Sequence, residues 1–268
     1  MKNTFIILVF LATTLSAWSQ NHTFLESAFL ECHYLESMMN DTLSHRVIQD
    51  TMTLLIGKNH ALYFSKKLVF RDSLYSLQGG KQQWIQLMNR YLREGRRAEL
   101  SYNNTEYLYT DLSRRELLVR TTVTGSEYVQ YTEERESIPW IYSDSVKTIL
   151  GYECRLAEAN FRGRHYLAWY TLEIPLSLGP WKLWGLPGLI LEASDNQGHY
   201  SWSLTSISPN PDQEVWLYSW TDNYQQVRRV QYLRAKKGYR EMSYDKAQTT
   251  AAAQFVKKMK YDFKELDY

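Results

Sequence analysis

The amino-acid sequence predicts a mainly β protein of the α+β class: an antiparallel sheet with one or two helices packed on it. Three observations carry this. Rings make up 15% of the 268 residues, with 21 Tyr, 9 Trp and 9 Phe against only 12 Gly and 6 Pro, and aromatic side chains favour a half-buried pleated surface. Apolar and polar residues alternate at period two through most of the chain, whereas helical spacing recurs in only two stretches. No Pro/Gly/Ser-rich linker interrupts residues 20–268, which read as a single β-rich domain, since β barrels and sandwiches often reach about 200–250 residues as one unit.

Taken in chain order, residues 1–19 hold one charge, Lys2, then the apolar run Phe5 to Leu11 and the small residues Ala17 and Ser19. That order predicts a secretory signal peptide cleaved near Ser19. The apolar run is shorter than the roughly 18 residues a transmembrane helix needs. Strands are predicted at 26–36, 50–56 and 60–66, the last two separated by the turn Gly57-Lys58-Asn59. Between Lys81 and Glu94, Trp84, Leu87, Met88 and Tyr91 fall at helical spacing and predict an amphipathic helix lying on the sheet. Strand patterns resume at Tyr107 and Tyr109, Leu117 to Val123 and Tyr128 to Thr132, then at 151–159, 164–172, 188–194 and 199–207. The last pair forms the clearest hairpin: Asp195-Asn196-Gln197-Gly198 supplies the loop, and Tyr200, Trp202 and Leu204 alternate with Ser201, Ser203 and Thr205. Asp245 with Gln248 resembles a helix start, continued by Ala247, Ala251, Phe255 and Met259.

The formal charge of +2 argues against a dedicated nucleic-acid binder. Residues 226–268 nevertheless carry eleven Lys or Arg and five Asp or Glu, a basic end suited to an anionic partner surface or simply to solvation. Two cysteines exclude a disulfide-dense scaffold and an all-thiolate zinc site, which needs four. In a secreted chain the isolated pair Cys32 and Cys154, each on the apolar side of an alternating segment, is a disulfide candidate. Two buried free thiols are the alternative.

Signatures for a nucleophile elbow, a zinc-protease helix, a phosphate loop, a dinucleotide fold or a calcium loop are all missing. No catalytic residue, metal or cofactor is expected on that basis. The six His residues, at 22, 33, 45, 60, 165 and 199, are scattered. A hydrolase or metal site assembled from distant segments would be sought first near Glu192, Asp195 and His199. Arg162 and Arg164 flank Gly163 between two strands. Their guanidinium groups are anion-contact candidates, able to take a carboxylate or phosphate bidentately, unless the turn is a solvated hairpin tip.

The stretch Gly179-Pro180-Trp181-Lys182-Leu183-Trp184-Gly185-Leu186-Pro187-Gly188-Leu189-Ile190-Leu191 reads as a tight apolar corner entering a buried strand. Pro187 and Gly188 are expected at the two central positions of a type II turn, with positive φ at Gly188. Gly185, Leu186, Pro187, Gly188, Leu189 and Ile190 together spell the motif of the GLPGLI family of Bacteroidetes envelope proteins. Gly151-Tyr152-Glu153-Cys154, Phe161-Arg162-Gly163-Arg164, Ala168-Trp169-Tyr170-Thr171, Ile174-Pro175 and Gly179-Pro180 precede it in that family's order. The chain therefore resembles this family over about residues 139–208. The resemblance implies a secreted or periplasmic protein and carries over no catalytic residue. The strand pattern is also similar to the curved, incompletely closed sheet, or open half-barrel, of periplasmic lipoprotein carriers.

The function expected from these readings is non-catalytic. An apolar small molecule or lipid would sit in the concave face of the sheet, or the chain would assist an envelope protein such as an outer-membrane transporter. An interior open to solvent would favour carriage, and a plugged one partner binding.

Overall fold

The computed structural model describes residues 22–39, 41–43, 45, 47–100, 104–124, 127–210, 212–218, 224–248 and 262–268. The predicted signal peptide lies outside them, as do Ala251, Phe255 and Met259 of the expected C-terminal helix. One long strand, β1 (His22–Met38), organises the sheet. It pairs along one edge with β2 (Ile48–Gly57) and along the other with two strands in succession, β12 (Glu214–Tyr218) and β11 (Tyr200–Pro209). On the β2 side follow β3 (His60–Ser65), β4 (Tyr107–Asp111), β5 (Glu116–Thr122), β6 (Tyr128–Glu134) and the short β13 (Gln225–Gln226). On the β11 side follow β10 (Leu189–Asp195), β9 (Arg164–Thr171), β8 (Tyr152–Phe161) and β7 (Ile141–Ile149). Every pairing is antiparallel except that of β13 with β6.

The sheet is open but strongly bent. β6 and β8 lie nine strand spacings apart in the order, roughly 43 Å in a flat sheet. Yet Arg162, just after β8, donates to Glu133 of β6 at 2.9 Å. The two ends have therefore curled toward each other, and the mainly β, incompletely closed architecture read from the sequence is the observed one.

The bend gives the molecule an inner and an outer side. Along β1, Cys32, Tyr34 and Met38 are buried inward beside Met52, Leu54 and Trp202, in a large core that also takes Val119, Tyr131, Ala157, Ala168 and Ala193. The outer side holds a smaller cluster, Ala28, Leu55, Leu62, Phe64, Tyr107, Tyr109, Val215 and Tyr218. It is covered by α1 (Lys66–Tyr75), whose Leu68 joins that cluster. α2 (Gly80–Arg93) packs on α1: Trp84 lies 6.3 Å from Phe70 and 6.4 Å from Tyr75, ring centre to ring centre. The helix around Trp84 thus leaves the concave face uncovered. Gly80 permits the close packing, because a Cβ there would fall 1.7 Å from the Leu74 carbonyl oxygen.

α1 takes the place of the end predicted for the 60–66 strand. Ser65 ends β3 and caps the helix, its hydroxyl accepting from the Leu68 amide at 3.1 Å, a local signal that alternation hides. α3 (Arg97–Leu100) is a single turn. α4 (Arg229–Gln248) starts well before Asp245, which lies inside the helix. Its Tyr232 and Leu233 enter the inner core. β7, β12 and β13 were not predicted; in β7 an irregularity between Tyr142 and Val146 breaks the alternation.

Candidate functional site

The motif corner fills the concave side. Leu186, Leu189, Ile190 and Leu191 are fully buried. Trp181 stacks on Trp202 at 5.7 Å with planes 6° apart, and the Tyr34 hydroxyl donates to the Ile190 carbonyl at 2.8 Å. The glycines act differently from the type II turn expected at Pro187-Gly188. Positive φ occurs at Gly185, +96°, and not at Gly188. Gly188 is needed for close approach instead: a Cβ there would sit 1.8 Å from the Thr171 carbonyl oxygen. Gly179 is similarly confined, its Cβ position lying 2.8 Å from that of Ile190.

Across the open side of the bend runs the C-terminal segment, residues 262–268, fastened by Arg162 and Arg164. Arg162 and Gly163 take φ of 52° and 79°, the left-handed pair of a two-residue hairpin turn. That turn is covered rather than solvated, since Leu266 packs where a Cβ on Gly163 would fall and its amide donates to the Arg162 carbonyl at 2.9 Å. Arg164 is buried. Its guanidinium donates to Asp195 at 2.8 Å, to Asp262 at 2.6 Å and to the Phe263 carbonyl at 3.0 Å. Arg162 reaches Glu133 and, at 3.4 Å, Asp267. The anions these two arginines meet are thus carboxylates of the chain itself.

The centre of this network is Lys182, a lone cation inside the apolar motif. Its ammonium lies 2.6 Å from Glu133 and 2.7 Å from Glu265. Burial alone would pull its proton affinity down, but Glu265 and Glu133 outweigh that and hold it above the usual lysine value. Arg229 of α4 pairs with Glu265 and Asp267, and Lys264 reaches the fully buried Glu36, which also accepts from the Trp202 indole at 2.9 Å. Part of the basic C-terminal charge therefore faces inward onto acids. Sequence reading missed Lys182, Glu133, Glu265 and Arg229. A single Lys bracketed by Trp181 and Leu183 is the one local sign of a buried ion pair.

The remaining candidates are dispersed. Cys32 and Cys154 are free and buried, the second of the two arrangements the sequence left open for this pair. Four strand spacings separate β1 from β8. Cys32 lies beside Leu54 of β2 and Cys154 beside Lys147 of β7, at separate places in the same large core. Disulfides need Cα atoms about 4.4–6.8 Å apart. Asp195 and His199 are linked through Arg164 and Asp262, with His199 2.7 Å from Asp262, whereas Glu192 pairs with Lys147, so the three do not share one site. Among the described residues, no group of three His, Cys, Asp or Glu side chains is arranged to hold a metal ion.

Among the described residues, two cavities measure about 30 and 50 Å³. The first is lined by Glu133, Arg162, Lys182 and Trp184, the second by Glu106, Tyr200, Lys236 and Lys264 among others. Each has room for only a few waters, far below the roughly 300 Å³ or more that a drug-sized ligand fills.

Fold and site define a bent β scaffold whose concavity is occupied by its own motif and tail. A family model described as "Protein of unknown function (Porph_ging)" matches residues 162–192, which run from the arginine turn through the glycine corner. Two solved structures of PNGF-II, in space groups P21 and C2, are similar in fold, each with TM-score 0.51 and 14% identity over 79% of this chain. The chain spans 33% of the length of PNGF-II. No curated protein matches the sequence. Among the described residues no helix is long and apolar enough to cross a membrane.

Proposed function

We propose that the protein is a secreted, non-catalytic member of the GLPGLI group that works by binding a partner protein of the cell envelope, such as an outer-membrane transporter, and not by carrying lipid. The observation that carries this reading is the filled concavity. Motif, tail and α4 take the space a lipid would need, and the two cavities described there are water-sized. Apolar surface lies instead along β7, the unpaired edge of the sheet, where Ile141, Tyr142 and Val146 are 64%, 60% and 55% exposed. Exposed apolar edges are where sheets accept other chains.

Site-specific photocrosslinking from Tyr142 in the native envelope tests this. One discrete adduct to a barrel protein is expected, with no such adduct from Lys58 on a distant turn. Native mass spectrometry of protein from the same envelope should give the unliganded mass. A stoichiometric lipid adduct would overturn the reading in favour of carriage.

A further inference from the structure

Two arginines share one indole of the motif corner. The guanidinium carbon of Arg135, just beyond β6, lies 4.2 Å from the centre of the Trp184 ring, and that of Arg115, in the β4–β5 turn, lies 5.1 Å away. Their backbones are joined, the Arg135 amide donating to the Arg115 carbonyl at 2.8 Å. Arg115 has φ of 58°, a left-handed conformation that side chains other than Asn, Asp and Gly rarely adopt. The ring stands on a fixed frame: the Trp184 carbonyl accepts from the Trp140 indole at 2.8 Å, and the Gly185 amide donates to the Ser177 hydroxyl at 3.1 Å.

These two cations differ from their neighbours. Arg162, Arg164, Lys182, Arg229 and Lys264 all meet carboxylates. Among the described residues no carboxylate comes within ion-pair distance of Arg115 or Arg135, although Glu134 and Glu136 adjoin Arg135 in sequence. Burial, with the charge of Arg115 beside it, pulls the Arg135 guanidinium down to about 10, so it remains charged at neutral pH. Two like charges thus stand together without an ion pair among the described residues, at the rim of the smaller cavity, which Arg135 and Trp184 line together with Glu133, Glu134 and Glu136.

We propose that Arg115, Arg135 and Trp184 form a binding site for a doubly charged oxyanion, a phosphate group. Two planar forks offer parallel donors to several oxygens at once. A dianion matches both charges, whereas a carboxylate would leave one unmatched. The phosphate can belong to a soluble monoester or to a lipid headgroup, and the site is independent of the partner surface at β7.

Calorimetric titration of the mature chain with inorganic phosphate at fixed ionic strength tests the proposal. Saturable binding with displacement by sulfate is expected. Arg115→Gln and Arg135→Gln should each weaken it about tenfold, while Lys58→Gln leaves it unchanged. No heat and no rise in melting temperature at about 10 mM phosphate would overturn the proposal, as would affinity undiminished in both variants. Should Arg135→Gln fail to fold, the exposed Arg115 still decides the matter. Sedimentation with phosphatidylcholine vesicles, with and without phosphatidic acid, separates the two sources. Binding that requires phosphatidic acid and is lost in Arg115→Gln assigns a lipid headgroup; binding of soluble phosphate alone assigns a monoester. Vesicle binding retained in both arginine variants counts against the site.

Discussion

The two sides of the sheet are closed by different physics. On the outer side, α1 lays Leu68 on Leu55, Leu62 and Phe64, and α2 packs on α1 through Trp84. On the inner side, an aromatic and aliphatic core is sealed by ion pairs that bring β6, the β8–β9 turn, the motif corner, α4 and the C-terminal segment together. Apolar closure tolerates pH and salt and fails gradually as area is lost. A buried ion network adds little net stability when complete, yet is costly to break, because each member removed leaves its partner charged and unsolvated. The inner side is therefore the one that can be opened by a single substitution.

Lys182→Met should give the largest effect. It leaves Glu133 and Glu265 facing each other in the interior, and breaking a buried pair in this way costs about 3–5 kcal/mol. The lower end is expected, since Arg229 still reaches Glu265. Urea unfolding measures it. Adding Glu265→Gln to that variant should recover part of the loss, which a purely steric role for Lys182 would not allow. Leu68→Ala, on the outer side, should cost about 2–4 kcal/mol by lost burial and cavity formation. Hydrogen exchange should show this loss concentrated in α1 and α2. If Leu68→Ala instead loosened the C-terminal segment, the two sides would not be separate units.

Asp50 sharpens the comparison through pH. It lies fully buried in β2, opposite Glu36 across the β1–β2 ladder, and its Oδ1 has no hydrogen-bond partner among the described residues. Burial pushes its carboxyl up to about 6, against the lowering effect of the Ser65 hydroxyl and Lys67, with Glu36 adding to the rise. A carboxyl held above its unfolded value costs stability when ionised. That cost is full above about pH 6 and fades as the pH falls toward the unfolded value. Asp50→Asn keeps an acceptor for Ser65 and should therefore stabilise the fold by about 2–3 kcal/mol at pH 7.5. The gain should vanish near pH 4, and a gain equal at both pH values would show that charge is not its cause.

Much of the fold was legible because a half-buried strand writes its alternation into the sequence: ten strands were placed, most within a few residues of their ends. β7 escaped because its irregularity shifts the period at Ser143 to Ser145. α1 escaped because Leu68, Val69 and Phe70 continue a strand-like run past the Ser65 cap. α4 was placed too late because only a sparse stripe, including Tyr232 and Leu233, is buried in a helix with Gly238 at its middle. The site was half legible. Arg162 and Arg164 stand out beside a turn glycine, but the carboxylates of Asp262 and Asp267 lie about a hundred positions further along, and no local pattern links them. The glycine corner was recognisable by composition, while the reason for Gly188, the Thr171 carbonyl at its back, belongs to tertiary packing.

The smallest effect is expected from reductant, and it bears on the same division. Cys32 and Cys154 both belong to the large core, on strands four spacings apart, so a bond between them would have to draw β1 and β8 together. Burial raises both thiols, Cys32 to about 12 and Cys154 to about 11, which leaves almost no thiolate at neutral pH to react or to be oxidised. The native protein should therefore bind no thiol reagent within minutes and two equivalents in denaturant. Its melting temperature should not move on addition of dithiothreitol. A disulfide closing a loop of this length would contribute about 4–5 kcal/mol in the chain-entropy picture, and its reduction would lower the melting temperature by several degrees. A shift of that size would mean that β1 and β8 approach each other closely enough for these cysteines to bond, a closer inner closure than four strand spacings allow.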